Sequence, residues 1–107
     1  MGKHKIIISE QARADLRDLS YTITFEYKAP ATAVRYLKGV YTSIQSLKQS
    51  APVFQLQTNP AIVRAYGPFV RRINYKKMAI LFIIQHQIVY IIRVIPQSAI
   101  NDIQLPQ

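Results

Sequence analysis

The chain has 107 residues, which is one domain by length, and half of it is hydrophobic, enough for a modest core. It has no cysteine, which excludes disulfides, thiolate nucleophiles and thiolate metal sites and fits a reducing compartment. The formal net charge of +9 makes polyanions the natural partners, whether nucleic acid or an acidic protein segment.

The elements follow in chain order. Lys5–Ile8 is a short β-branched run and reads as a strand. The segment MGKHKIIISE holds only three consecutive apolar residues, so neither a signal peptide nor a membrane span is expected. Ser9 suits an N-cap, and Glu10 suits the positive end of the following helix dipole. Apolar residues then recur at Ala12, Leu16, Leu19, Ile23 and Tyr27 at helical spacing, with Asp15 and Asp18 read as off that stripe. This helix is expected to end near Lys28-Ala29-Pro30.

Pro30 suits the first turn of a second helix. Its stripe is Ala33, Leu37, Val40, Ile44 and Leu47, and it stops before Pro52. Gly39 inside this helix costs helix propensity, which points to close packing against a neighbour. The two helices form a hairpin, and Tyr21, Tyr27, Tyr36 and Tyr41 are expected at its core or edges rather than as a platform for stacked bases.

Pro52 to Pro60 reads as a loop. Three strand signals follow: Ile62–Ile73, interrupted by Gly67-Pro68; Met78–Ile84, apolar throughout and so a central strand buried on both faces; and Ile88–Ile95. Tyr75-Lys76-Lys77 and Gln85-His86-Gln87 have hairpin length. The expected fold is α+β: an N-terminal strand, a helical hairpin, then a three-stranded antiparallel meander, with the helices on one face of the sheet. One domain spans 1–107, with a polar tail from about residue 97.

The charges are unevenly placed. Glu10, Asp15, Asp18 and Glu26 are the only acids before Asp102, and none lies between Tyr27 and Asn101. That stretch holds Lys28, Arg35, Lys38, Lys48, Arg64, Arg71, Arg72, Lys76, Lys77 and Arg93. Paired-carboxylate hydrolysis, carboxylate metal sites and Ser-His-Asp triads all need acids beside the reacting group, so this distribution argues against them. His4 has no second ligand at metal spacing. No metal and no cofactor are expected.

Arg93 sits among Ile, Val and Tyr and must reach water or find an acid. It is read either as the partner of Asp15 or Asp18 or as a contact for a binding partner. Arg71 and Arg72 are adjacent, so a regular strand sends them to opposite faces, at least one of them open. Arg64 reads similarly. Lys76-Lys77 reads as a solvated turn, and His86 as an exposed turn residue.

Three segments, in order and spacing, carry a resemblance. ISEQARADLRDL at 8–19, PATAVRYLKGVYTSIQSLKQSAP at 30–52 and YIIRVIPQSAIN at 90–101 resemble the RelE/ParE superfamily of type II toxin–antitoxin toxins, the last segment being similar to the IIRVLHQSMN ending of ParE-type members. The resemblance implies a cytoplasmic, growth-inhibiting toxin of a plasmid-stabilising kind of system, neutralised by a ParD-like antitoxin with an acidic or amphipathic tail. It implies one of two targets: DNA gyrase for ParE-type members, or the ribosome and its mRNA for RelE-type ribonucleases.

Ribonucleolytic cleavage by 2′-OH attack needs proton transfer and charge stabilisation. Pro96 stands where the family often has His, and Ala79 stands where RelE-type members have an arginine. Arg72 aligns with one basic position of the preceding strand. The expectation is therefore a ParE-like gyrase inhibitor whose partner-binding residues are Arg64, Arg71, Arg72, Arg93, Gln97 and Ser98. The first alternative is a ribosome-dependent mRNA endonuclease using Arg72, Tyr75, His86 and Tyr90. The second is a non-toxic relict that binds only antitoxin.

Overall fold

The computed structural model describes residues 3–103. The first two residues and the end of the polar tail, 104–107, lie outside the described residues. The element order is β1 (Lys5–Ile8), α1 (Glu10–Tyr21), a π-helical turn (Thr22–Glu26), α2 (Pro30–Ser50), a 3-10 turn (Ala51–Val53), α3 (Pro60–Tyr66), β2 (Arg71–Tyr75), β3 (Met78–Gln85), β4 (Ile88–Pro96) and a 3-10 segment (Gln97–Asp102).

The strands form one sheet in the order β1-β4-β3-β2. The meander is antiparallel, while β1 crosses over through the helices and joins the outer edge of β4 in parallel. Both hairpins turn on a residue with left-handed backbone, Lys76 at φ 51° and His86 at φ 59°. Such turns match the twist of the flanking strands.

Helix α1 starts as its sequence predicts: the Ser9 hydroxyl accepts the Ala12 N–H at 3.0 Å. Its last turn widens to π geometry and closes over left-handed Lys28, where the Tyr27 and Ala29 N–H groups reach back to the Thr22 and Ile23 carbonyls. In α2 the stripe Ala33, Val40, Ile44 and Leu47 is buried, and Leu37 is partly so. Val40, Ile44 and Leu47, with Leu37 packed against them, meet Ile80, Phe82, Val89, Ile91 and Val94 of the sheet in the main core. Gly39 lets α2 approach β2: a methyl group there would overlap the Tyr75 ring and hydroxyl. Tyr75 also meets Tyr36 edge-on at 5.3 Å.

Five expectations are corrected. Ile62–Ile73 is not one strand, because Pro60–Tyr66 is helix α3. Asn59 caps it through its Oδ1, Pro60 takes the first turn, and Gly67 at φ 90° ends it. The long helices do share one face of the sheet, but α3 covers part of the other, packing Ile62 with Leu81, Ala79, Ile95 and Ile100 in a second core. Ile100 also shows that the tail is not simply polar: its 3-10 segment inserts this residue under α3. Asp15 lies on the buried stripe of α1, three residues after Ala12 and four before Leu19. Tyr21, Tyr27 and Tyr41 are exposed, and only Tyr36 of the four helical tyrosines is packed.

Candidate functional site

The free end of β4 organises the site. Strand β1 stops at Ile8, opposite Ile91, and the Ser9 N–H and hydroxyl take the Ile91 and Ile92 carbonyls at 3.0 and 3.2 Å. Beyond that point no strand among the described residues pairs with β4 on this side. Here the sheet is bulged: Leu81 pairs with Arg93 and Phe82 with Ile91, leaving Ile92 as an extra residue. Ile91 and Val94 therefore both reach the main core, while Arg93 turns around the free edge.

Arg93 meets Asp15 there as a bidentate pair. Its Nε donates to Asp15 Oδ2 at 2.7 Å and its Nη2 to Oδ1 at 3.0 Å. Its Nη1 donates to the Tyr66 hydroxyl at 2.9 Å. Asp15 also accepts the backbone N–H of Val94 at 2.9 Å and the Gln11 amide at 3.3 Å. The carboxylate thus replaces the strand that β4 lacks. One guanidinium ties α1, on one face of the sheet, to α3 on the other. The bond to Asp15 raises the Arg93 pKa above the usual arginine range, against the opposing effect of burial. Of the two expected roles for Arg93, the pair with an α1 acid is the one seen.

Beside this pair an apolar groove of about 340 Å³ runs between α1 and the end of β4, lined by Leu19, Thr22, Met78, Ile95, Pro96 and Ala99. Arg93, Asp15 and Asp18 line it as well. Gln97 is fixed to the β2–β3 turn, its N–H donating to the Lys77 carbonyl and its Nε2 to the Lys76 carbonyl, at 2.8 and 2.7 Å. Ser98 next to it is exposed.

The remaining candidates are dispersed. Arg71 pairs with Phe82, on the face of the long helices, and its guanidinium donates to the Pro52 and Phe54 carbonyls, so it braces the α2–α3 connection. Arg72 pairs with Leu81 and shares the opposite face with Tyr90, which pairs with Ile83 and Ile7. Arg64 is an exposed residue of α3, not of a strand. Tyr75 lies on the long-helix face against Gly39, and exposed His86 stands at the tip of the β3–β4 turn. Of the four residues named for ribonuclease chemistry, only Arg72 and Tyr90 are on one face.

Sequence reasoning named Asp15 as one of two possible partners of Arg93 but placed it off the buried stripe, and it missed the groove. The Asp15 spacing from Ala12 and Leu19 was the available signal; the groove had none, since it joins segments about as far apart as the chain allows. Among the described residues no three His, Cys, Asp or Glu side chains cluster as a metal site, and no helix is long and apolar enough to cross a membrane.

The comparisons follow this geometry. A chain of the chromosomal ParDE TA system from P. aeruginosa has the same fold, with a TM-score of 0.67 at 16% identity over 88% of this chain and 96% of that one. A chain of the RelBE2 toxin–antitoxin complex from Mycobacterium tuberculosis aligns with a TM-score of 0.52 at 20% identity, over 88% of this chain and 98% of that one. No curated protein sequence matches. The family described as ParE toxin of type II toxin-antitoxin system, parDE, matches residues 6–100, nearly the whole strand–hairpin–meander unit. The chain therefore belongs to the ParE toxin family of type II toxin–antitoxin systems, within the RelE/ParE superfamily.

Proposed function

We propose that this ParE-family toxin acts by binding DNA gyrase and is neutralised by a cognate antitoxin. The observation that carries the reading is the dispersal of the candidate proton-transfer groups. Tyr75 and His86 lie away from the face shared by Arg72 and Tyr90, and Pro96 beside the groove offers no side-chain donor or acceptor. An inhibitor that works by binding needs none of these, because the topoisomerase performs the chemistry on DNA. The groove beside Arg93 and Pro96, with Gln97 and Ser98 at its end, is the surface proposed to meet the target. The basic, acid-free chain from 27 to 101 supplies the field that attracts an acidic antitoxin tail, which folds onto the toxin as it binds.

The test is a cleavage assay. Purified protein is incubated with gyrase, plasmid and ATP, then treated with detergent and protease, and linear DNA is scored. Linear plasmid that depends on the toxin is the expected result. Unimpaired supercoiling without linear product sinks the reading. The next assay is then ribosomes with a defined mRNA, because Arg72 and Tyr90 do share one face of the sheet and the RelBE2 fold is similar.

A further inference from the structure

Helix α1 divides its charges between two flanks. Asp15, Asp18, Leu19 and Thr22 line the groove beside Arg93, while Arg13, Leu16, Arg17 and Ser20 line a separate crevice shared with Leu37 and Tyr41 of α2. At about 100° per residue the two sets fall on nearly opposite sides of the helix. Both arginines are thus turned away from Asp15 and Asp18. Glu10 lies one turn before Arg13 on the same flank but does not line the crevice.

The crevice holds about 290 Å³, and among the described residues no carboxylate lines it. Buried Leu16 and half-buried Leu37 give it an apolar floor, with half-buried Ser20 and exposed Arg13, Arg17 and Tyr41 around it. Two like charges one turn apart are unfavourable for a helix. Among the described residues the one ion pair is Arg93 with Asp15, and no side-chain hydrogen bond engages Arg13, Arg17, Ser20 or Tyr41. No contact within the described chain offsets that repulsion, whereas an anion seated between the guanidinium groups does.

Chemistry selects the anion. Two guanidinium forks and two hydroxyls around one hollow approach a ligand from several directions. A planar carboxylate is matched by one fork. A tetrahedral phosphate has oxygens for all of them, and Arg, Ser and Tyr are among the residue types that hold nucleic-acid backbones. The net charge of +9 draws such a polyanion in.

We propose that this crevice is a phosphodiester-binding site through which the chain contacts DNA directly. Arg13 and Arg17 donate to the phosphate oxygens, and the Ser20 and Tyr41 hydroxyls complete the cradle. The choice of DNA rests on the gyrase reading, because gyrase holds duplex DNA. The target groove takes one flank of α1 and leaves the crevice on the other flank to reach that DNA.

The test is fluorescence anisotropy of the purified full chain with a short labelled duplex of arbitrary sequence, without gyrase, at several salt concentrations. The wild type is expected to bind with an affinity that falls as salt rises. Arg13→Gln with Arg17→Gln should weaken binding at least about 10-fold at low salt and reduce the salt slope by about 1, the loss of one neutralised phosphate. Glutamine suits an exposed helical position, and an unchanged thermal melt confirms that this variant folds. Arg35→Gln with Lys48→Gln removes the same charge at exposed α2 positions outside the crevice, and should weaken binding less than about 3-fold with the slope kept. Tyr41→Phe should weaken it about 3-fold by removing one hydroxyl. No duplex binding by the wild type overturns the proposal. So does equal loss in the two double variants, which reports a diffuse field, or no effect of Tyr41→Phe. Displacement of the duplex by poly-glutamate as readily as by unlabelled duplex assigns the crevice to an acidic peptide, and tighter arginine-dependent binding of RNA assigns it to RNA; either overturns the DNA assignment. Gyrase takes no part in these measurements, so crevice-dependent DNA binding beside a failed cleavage assay separates this site from the gyrase reading.

Discussion

Asp15 and Arg93 show how one residue pair can serve three tasks. The pair satisfies a buried carboxylate, terminates the free edge of β4 and joins α1 to α3 through Tyr66. The side chains are 7% and 25% exposed, so the carboxylate is the member with no access to water when its partner is lost. Breaking such a pair costs more than never having had it. Arg93→Ala is expected to destabilise the fold by about 2–3 kcal/mol, at the low end for a buried pair because Arg93 reaches water. Asp15→Leu with Arg93→Met should cost less than the sum of the two single changes, as a double-mutant cycle by urea unfolding will show. The pH behaviour also has a defined sign. Arg93 has a raised pKa in the folded state, so its contribution is complete below the ordinary arginine value and fades only above it. The wild-type minus Arg93→Ala stability difference should therefore stay flat from neutral pH to about pH 10, well below that value. A fall across that range refutes the assignment. The pair also changes what a functional test on Arg93 means: lost toxicity in Arg93→Ala must be separated from lost folding.

The α2–β2 contact is decided by single small positions within elements. Gly39 sits mid-helix, where glycine is unfavourable, because the Tyr75 ring occupies the space of a side chain. Lys76 lies over the Tyr36 and Tyr75 rings at 5.7 and 5.6 Å, so the β2–β3 turn is held against α2 as well. Gly39→Ala gains about 1 kcal/mol in helix propensity but forces the ring out of its place, an overpacking cost of about 1–3 kcal/mol. Net destabilisation is expected, and Tyr75→Ala in the same chain should cost less than it does alone. Thermal unfolding of the four proteins gives the coupling. If Gly39→Ala raises the melting temperature, the close approach is not what fixes glycine here. Helix α3 teaches a different lesson. The apolar, β-branched residues Ile62 and Val63 favour a strand reading, but Asn59, Pro60 and Gly67 are a start and a stop for one short helix. Local end signals outweighed the strand propensity between them.

At the scale of the whole molecule, charge is segregated along the chain: residues 10–26 hold four of its five carboxylates, and the stretch from 27 to 101 holds none. Exposed Arg64 on α3 and Arg72 on the sheet face beside the second core are cations with no ion pair among the described residues. An acidic antitoxin tail crossing that side should feel both. Arg64→Glu with Arg72→Glu is expected to slow association with the antitoxin at least about 10-fold at low salt, with the difference shrinking as salt rises. Stopped-flow binding at two ionic strengths measures this. An unchanged rate at low salt removes that face from the antitoxin path.

What the sequence determined alone was whatever has a local period or a local stop. The Ser9 cap, the helical stripes from Ala12 and Ala33, the unbroken apolar strand from Met78 and the opposite facing of Arg71 and Arg72 all follow from residues within a turn or a strand of one another. The segments at 8–19, 30–52 and 90–101 carried the family in the same way, by order and spacing. Tertiary structure decided the rest. Which acid Arg93 would meet depended on where β1 ends, on the bulge at Ile92 and on α1 crossing the free edge, and the partners are 78 residues apart in the chain. Which tyrosines would be covered depended on what lies against each helix face, and periodicity describes one helix at a time. Whether Arg71 braces a loop while Arg72 lies on the opposite face depended on which side of the sheet received the hairpin. A chain specifies its local geometry residue by residue, but a site made where distant segments meet exists only once the core has brought them together.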